Sequence, residues 1–99
     1  VLKDTSIIEF QKNNLINKTK VVWFVNILVK KNRNLYLDKM KKFDIEVRPF
    51  FYSLSIMPIY SSYSFSNKIS RKISSQGITF PTNEMINESV LSKIKKIFI

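Results

Sequence analysis

The longest apolar run in the chain, VVWFVNILV at 21–29, reads as a β-strand. It is β-branched and aromatic, and only Asn26 interrupts it, so both faces are apolar and a central, doubly covered strand is expected. Trp23 on such a strand is expected in the core, and Asn26 is expected to find a backbone partner. Upstream, residues 1–20 are polar and irregular: IIEFQ is a short strand or the end of a helix, and KNNLINKTK is a loop. After the strand KKNRN turns the chain, and the period changes. Tyr36, Leu37, Met40 and Phe43 recur at helical spacing, which predicts an amphipathic helix over 34–43. Asp44 suits its stop, because Asp tolerates the left-handed conformation found beyond many helix ends.

IEVRPFF, 45–51, predicts a second strand. Pro49 removes a ladder donor and holds Arg48 extended, so this strand lies or ends at a sheet edge. No period is visible from Ser53 to Phe65, yet Leu54, Ile56, Met57, Ile59 and Tyr60 are too apolar for disorder, which predicts a long loop held against something. Ser66 to Gln76 reads as a helix, with Gly77 placed as its C-terminal cap. ITFPT, 78–82, is a short extended segment. Asn87 caps a last helix with Glu88 in its first turn, and Val90, Leu91, Ile94, Ile97 and Phe98 form its apolar face. Strands mixed with helices in this order predict an α+β domain, a small sheet packed against helices.

Composition narrows the chemistry. Ninety-nine residues with 44% apolar side chains allow one small core. There is no cysteine and no histidine, which excludes a disulfide framework, thiolate metal sites and the commonest general base. No run approaches the roughly 20 apolar residues of a membrane span, and VLKDTSIIEF lacks the pattern of a signal peptide, so a cytoplasmic protein without membrane contact is expected. The net charge of +10 invites a nucleic-acid reading. Fourteen of the seventeen basic residues are lysines spread over every segment, though, and alanine is absent. That pattern fits a skewed composition with solvated lysine faces better than a clustered, arginine-rich phosphate reader.

Trp23 in the first strand, Ile45-Glu46-x-Arg48-Pro49 leading through Phe51 and Tyr52 to Met57-Pro58-x-Tyr60, and Gly77-Ile78-x-Phe80-Pro81 occur in this order and spacing. Over residues 20–98 the chain thereby resembles the C-terminal small domain of the DegT/DnrJ/EryC1/StrS aminotransferases. These are fold-type-I, pyridoxal-phosphate-dependent enzymes that aminate nucleotide-linked keto sugars for polysaccharides and glycans. Ser53 departs from the family's usual proline, Ser55 from a frequent histidine and Asp44 from a common glycine. The resemblance implies a lead-in over 1–20 and a small C-terminal domain over 21–99. It also implies a homodimeric intact enzyme with a nucleotide-sugar substrate and glutamate as amino donor.

The family's Schiff-base lysine and cofactor-phosphate groups belong to a large domain, and nothing in residues 1–20 matches them. Pyridoxal phosphate is therefore expected in the intact enzyme and not on this chain alone, whose expected role is that of a non-catalytic fragment. The expected substrate contacts are Arg48, a rigid charged fork for diphosphate or carboxylate, and Tyr52, Ser55 and Tyr60, which offer hydroxyls or ring faces. Against this, Arg48 serves equally well as half of an ion pair, and Phe50, Phe51, Ile56, Met57 and Ile59 are expected to pack in a core or interface. Pro49 and Pro58 then stiffen a loop leaning over an active-site mouth. The alternatives are a stand-alone basic module binding RNA through aromatics on a sheet face, or a structural remnant.

Overall fold

A computed structural model gives residues 6–12, 16–63, 67–83 and 86–99. In chain order these form β1 (Ile8–Phe10), β2 (Val25–Val29), α1 (Arg33–Lys42), β3 (Arg48–Pro49), α2 (Lys68–Gln76), β4 (Gly77–Phe80) and α3 (Glu88–Phe98). The strands make one antiparallel sheet in the order β1-β2-β4-β3, so the domain is α+β.

Strand register sorts the side chains onto two faces. Ile8, Val25, Ile27, Val29, Ile78 and Phe80 share one face, and Glu9, Asn26, Leu28, Thr79 and Arg48 share the other. The first face holds the core. Ile8, Ile27, Val29, Ile78 and Phe80 are buried there with Met40 of α1, with Ile45, and with Ile94, Ile97 and Phe98 of α3. Phe98 stacks on Tyr36 at 4.8 Å between ring centroids and 4° between planes, which joins the two helices. The second face meets α2, whose Lys72 Nζ stands 4.0 Å from Glu9 Oε2.

The expected helices form where their periods place them. Asn87 Oδ1 accepts the Val90 amide at 3.1 Å, satisfying one of the free donors at the start of α3. Asp44 adopts the left-handed conformation with φ 57° just past α1. Phe43 departs from expectation: it is exposed beyond the last turn of α1, while Tyr36, Leu37 and Met40 face the core. IIEFQ resolves as β1, which pairs with β2 and buries Ile8, so the sheet includes part of the expected lead-in.

The first strand is shorter than its sequence. β2 is central, but it begins at Val25, because the β4 ladder ends at the Val25–Phe80 pair. Val21 to Phe24 therefore run past their partner, and Trp23, expected in the core, is 77% exposed. Nor is β2 equally covered on both faces: Ile27 and Val29 are buried, whereas Asn26 and Leu28 are half-buried.

The second strand likewise contracts from 45–51 to Arg48–Pro49 at the sheet edge. The expected loop contains two 3₁₀ helices, Leu54–Ile56 and Pro58–Tyr63, the second opening on Pro58. Proline suits a first helical position, where no intrahelical amide is required. Ser64 and Phe65 of that predicted loop, and the expected helix start at Ser66, lie outside the described residues.

Gly77 is not a left-handed cap. Its φ of −75° and ψ of 138° are extended, and it begins β4. A Cβ there would lie 2.5 Å from Phe50 Cβ and 2.7 Å from the Ile73 carbonyl oxygen. Glycine is needed at this position for close approach rather than for handedness.

Candidate functional site

The candidate residues sit on the stretch that leaves the sheet at β3 and crosses to α2. Arg48 pairs with Thr79 and Pro49 with Ile78, and the Phe50 amide donates to the Gly77 carbonyl at 3.0 Å. Past Phe50 the ladder stops, and a hydrogen-bonded serine cluster holds the chain. The buried Ser53 donates its amide to Ser74 Oγ at 3.2 Å. Its hydroxyl accepts from Ser70 Oγ at 2.8 Å and lies 2.7 Å from Ser55 Oγ. Arg71 Nε reaches Ser55 Oγ at 3.4 Å. The buried Ser53 thus has its amide satisfied by Ser74 and its hydroxyl by Ser70 and Ser55.

Around this anchor the apolar side chains turn outward. Phe51 and Tyr52 are each 70% exposed, and Leu54, Ile56 and Ile59 are exposed as well, whereas Phe50 and Met57 are half-buried. The expected packing of Phe51, Ile56 and Ile59 is therefore not met within this chain. Serines occupy the inward positions, and among the described residues Phe51 meets the ring of Phe50 at 5.4 Å while remaining largely exposed.

Arg48 faces solvent, its side chain 78% exposed, and Nη2 donates to Glu46 Oε1 at 2.9 Å. Residues two apart on an extended chain lie on the same side, which makes this pair local and weak. Arg48 lines a groove of about 430 Å³ with Phe24, Glu46, Phe51, Phe80 and Asn83. Tyr52 lines a neighbouring depression of about 410 Å³ with Phe50, Phe51, Leu54, Ile69 and Ile73. Phe51 belongs to both, so Arg48 and Tyr52 flank one ring. Ser55 and Tyr60 line neither hollow. Ser55 is engaged by the serine cluster, and Tyr60, in the second 3₁₀ helix, is partly exposed.

Sequence reasoning missed a third hollow, about 340 Å³ between β1, β2 and α2, lined by Phe10, Asn26, Leu28, Phe50, Ile73 and Gly77. The lone Gly77 in its lining marks the place where Phe50 closes directly onto the strand. Asn26 is satisfied there by a side chain rather than the backbone: Thr79 Oγ1 donates to its Oδ1 at 2.8 Å. No paired position on this second sheet face carries an aromatic side chain.

A Schiff-base lysine needs desolvation or a cationic neighbour to act as a free amine. Among the described lysines only Lys39 is half-buried, its Nζ 5.3 Å from the Tyr36 ring centroid, and the others are exposed. No described lysine is buried. Among them no helix is long and apolar enough to cross a membrane. No protein-family model matches this chain, and no curated protein matches its sequence.

Proposed function

We propose that this chain is the substrate-facing C-terminal part of a pyridoxal-phosphate-dependent aminotransferase acting on a nucleotide-linked keto sugar. Other residues of that enzyme hold the cofactor, and the chain by itself does not transaminate. One observation carries the reading: Ser53 is pinned to α2 from beneath while Phe51, Tyr52, Leu54 and Ile59 stand bare above it, beside the exposed Arg48. A soluble domain rarely leaves a contiguous apolar rim uncovered unless something docks on it. The order of motifs supports the same reading.

In this reading Arg48 is released from its weak pair with Glu46 to take the diphosphate or a carboxylate, as a guanidinium fork suits either. Tyr52 offers its hydroxyl or ring from the far side of Phe51. Ser55 acts as a loop anchor, with Arg71 as its partner, and Tyr60 contacts the large domain or the sugar. The RNA alternative draws no support from the sheet, whose second face is covered by α2 and has no aromatic side chain at a paired position.

The test is co-expression of this chain with the reading frame adjacent to its gene. The expected result is a stable complex with the absorbance of a lysine-bound pyridoxal phosphate and sugar-dependent transamination. Arg48→Ala should raise the KM for the nucleotide sugar with little change in the stability of the chain. A neighbouring frame without a lysine-bearing large domain, or a complex indifferent to Arg48→Ala, overturns the reading.

A further inference from the structure

The segment Ile16–Phe24 is irregular backbone that carries its apolar side chains outward. Val21 is 91% exposed, Ile16 82% and Trp23 77%, and Val22 and Phe24 also reach the surface. The segment is nonetheless held. Thr82 Oγ1 donates to the Trp23 carbonyl at 3.0 Å, the Trp23 and Phe24 rings stack at 4.5 Å, and Lys20 Nζ reaches Gln11 Oε1 at 3.5 Å. Lys18 and Lys20 are exposed at its base.

Along the sequence its charge is one-sided, with Glu46 reaching only the groove behind Phe24. From Phe10 to Leu37 the sequence contains no acidic residue and six basic ones: Lys12, Lys18, Lys20, Lys30, Lys31 and Arg33. The surface partner must therefore accept both apolar side chains and positive charge. A second copy of this chain fits poorly, because it would bring the same lysines together. Nucleic acid would meet the charge and one indole, but Ile16, Val21 and Val22 have no π-face on which a base could stack. An anionic bilayer surface meets both demands: its headgroup phosphates attract lysines, and its interfacial layer takes up tryptophan and short aliphatic groups.

We infer that Ile16–Phe24 is a lipid-contact loop, which inserts Trp23 and its valine neighbours into the interfacial layer of an anionic membrane while Lys18 and Lys20 engage phosphate. The sequence-based expectation of no membrane contact rested on the lack of a spanning segment, and a surface-lying loop needs none. The inference rests on Ile16–Phe24 and the aminotransferase reading on Arg48 to Tyr60, and the two surfaces meet at the groove that Phe24 shares with Arg48 and Phe51.

The test uses the purified chain and flotation with phosphatidylcholine vesicles, with and without an equal share of phosphatidylglycerol. Flotation separates lipid binding from self-aggregation. Binding to the anionic vesicles alone is expected, weakened by salt. Emission from Trp23, the single tryptophan, should shift to the blue and be quenched by brominated acyl chains. Lys18→Gln with Lys20→Gln should weaken binding roughly 25-fold, since each lysine near an anionic surface contributes about fivefold. Val21→Ser with Trp23→Ser should abolish flotation with an unchanged far-ultraviolet circular dichroism spectrum. Failure to float, or flotation with unshifted emission, overturns the inference. Quenching of Trp23 by oligouridylate without flotation overturns it in favour of RNA.

Discussion

Phe50 lies directly over Gly77: a methyl group added to the glycine would sit 2.5 Å from Phe50 Cβ. This approach brings the outgoing chain close enough for the Phe50 amide to reach the Gly77 carbonyl, and it delivers Ser53 to α2. Gly77→Ala keeps an allowed backbone, so its effect is steric. Overpacking of this kind destabilises by about 1–3 kcal/mol. Chemical denaturation should show a lower midpoint for Gly77→Ala, and an unchanged midpoint would refute the close approach.

Ser74 is buried, and its hydroxyl takes the Ser53 amide. Ser74→Ala leaves that amide without its acceptor, a loss of about 1–3 kcal/mol for a buried donor. The effect should be local. Hydrogen exchange at Ser53 to Met57 should quicken while the core amides of β2 stay protected. Arg33 buttresses the same turn, because its Nη1 donates to the Ser74 carbonyl at 2.6 Å from 41 positions away. Arg33→Ala should therefore loosen the end of α2 as well.

Two aromatic residues separate sequence hydrophobicity from actual burial. Phe98 is 1% exposed, and Phe98→Ala should cost about 3–5 kcal/mol through lost transfer energy and the cavity left behind. Trp23→Ser, at a site open to solvent, should change stability by no more than about 0.5 kcal/mol. Thermal melts of the two variants check the contrast, and a large loss for Trp23→Ser would place that ring in the core after all.

Much of the architecture was legible from period alone. The spacing of Tyr36, Leu37 and Met40, and that of Ile94, Ile97 and Phe98, marks one face of each helix, and those faces meet the sheet. Asn87 was readable as a cap and Asp44 as a left-handed stop, because both depend on local chemistry. Pro49 correctly placed Arg48 at an edge. The candidate site was less legible. Ser53 and Ser55 bond to residues of α2 that are 16 to 21 positions away, namely Ser70, Arg71 and Ser74, and polar residues with no period advertise no such partner.

The sequence by itself determined which segments could become helices, where they begin and stop, and which stripes would seek cover, because those properties depend on neighbours within a turn or two. Tertiary structure decided which apolar groups obtained that cover. Val29 and Trp23 stand in one run of similar hydrophobicity, yet Val29 is buried and Trp23 is not. The difference lies in pairing and cover: Val29 pairs with Ile8 on the face packed by Met40 and the apolar side of α3, whereas Trp23 lies beyond the last pair that β2 makes with β4.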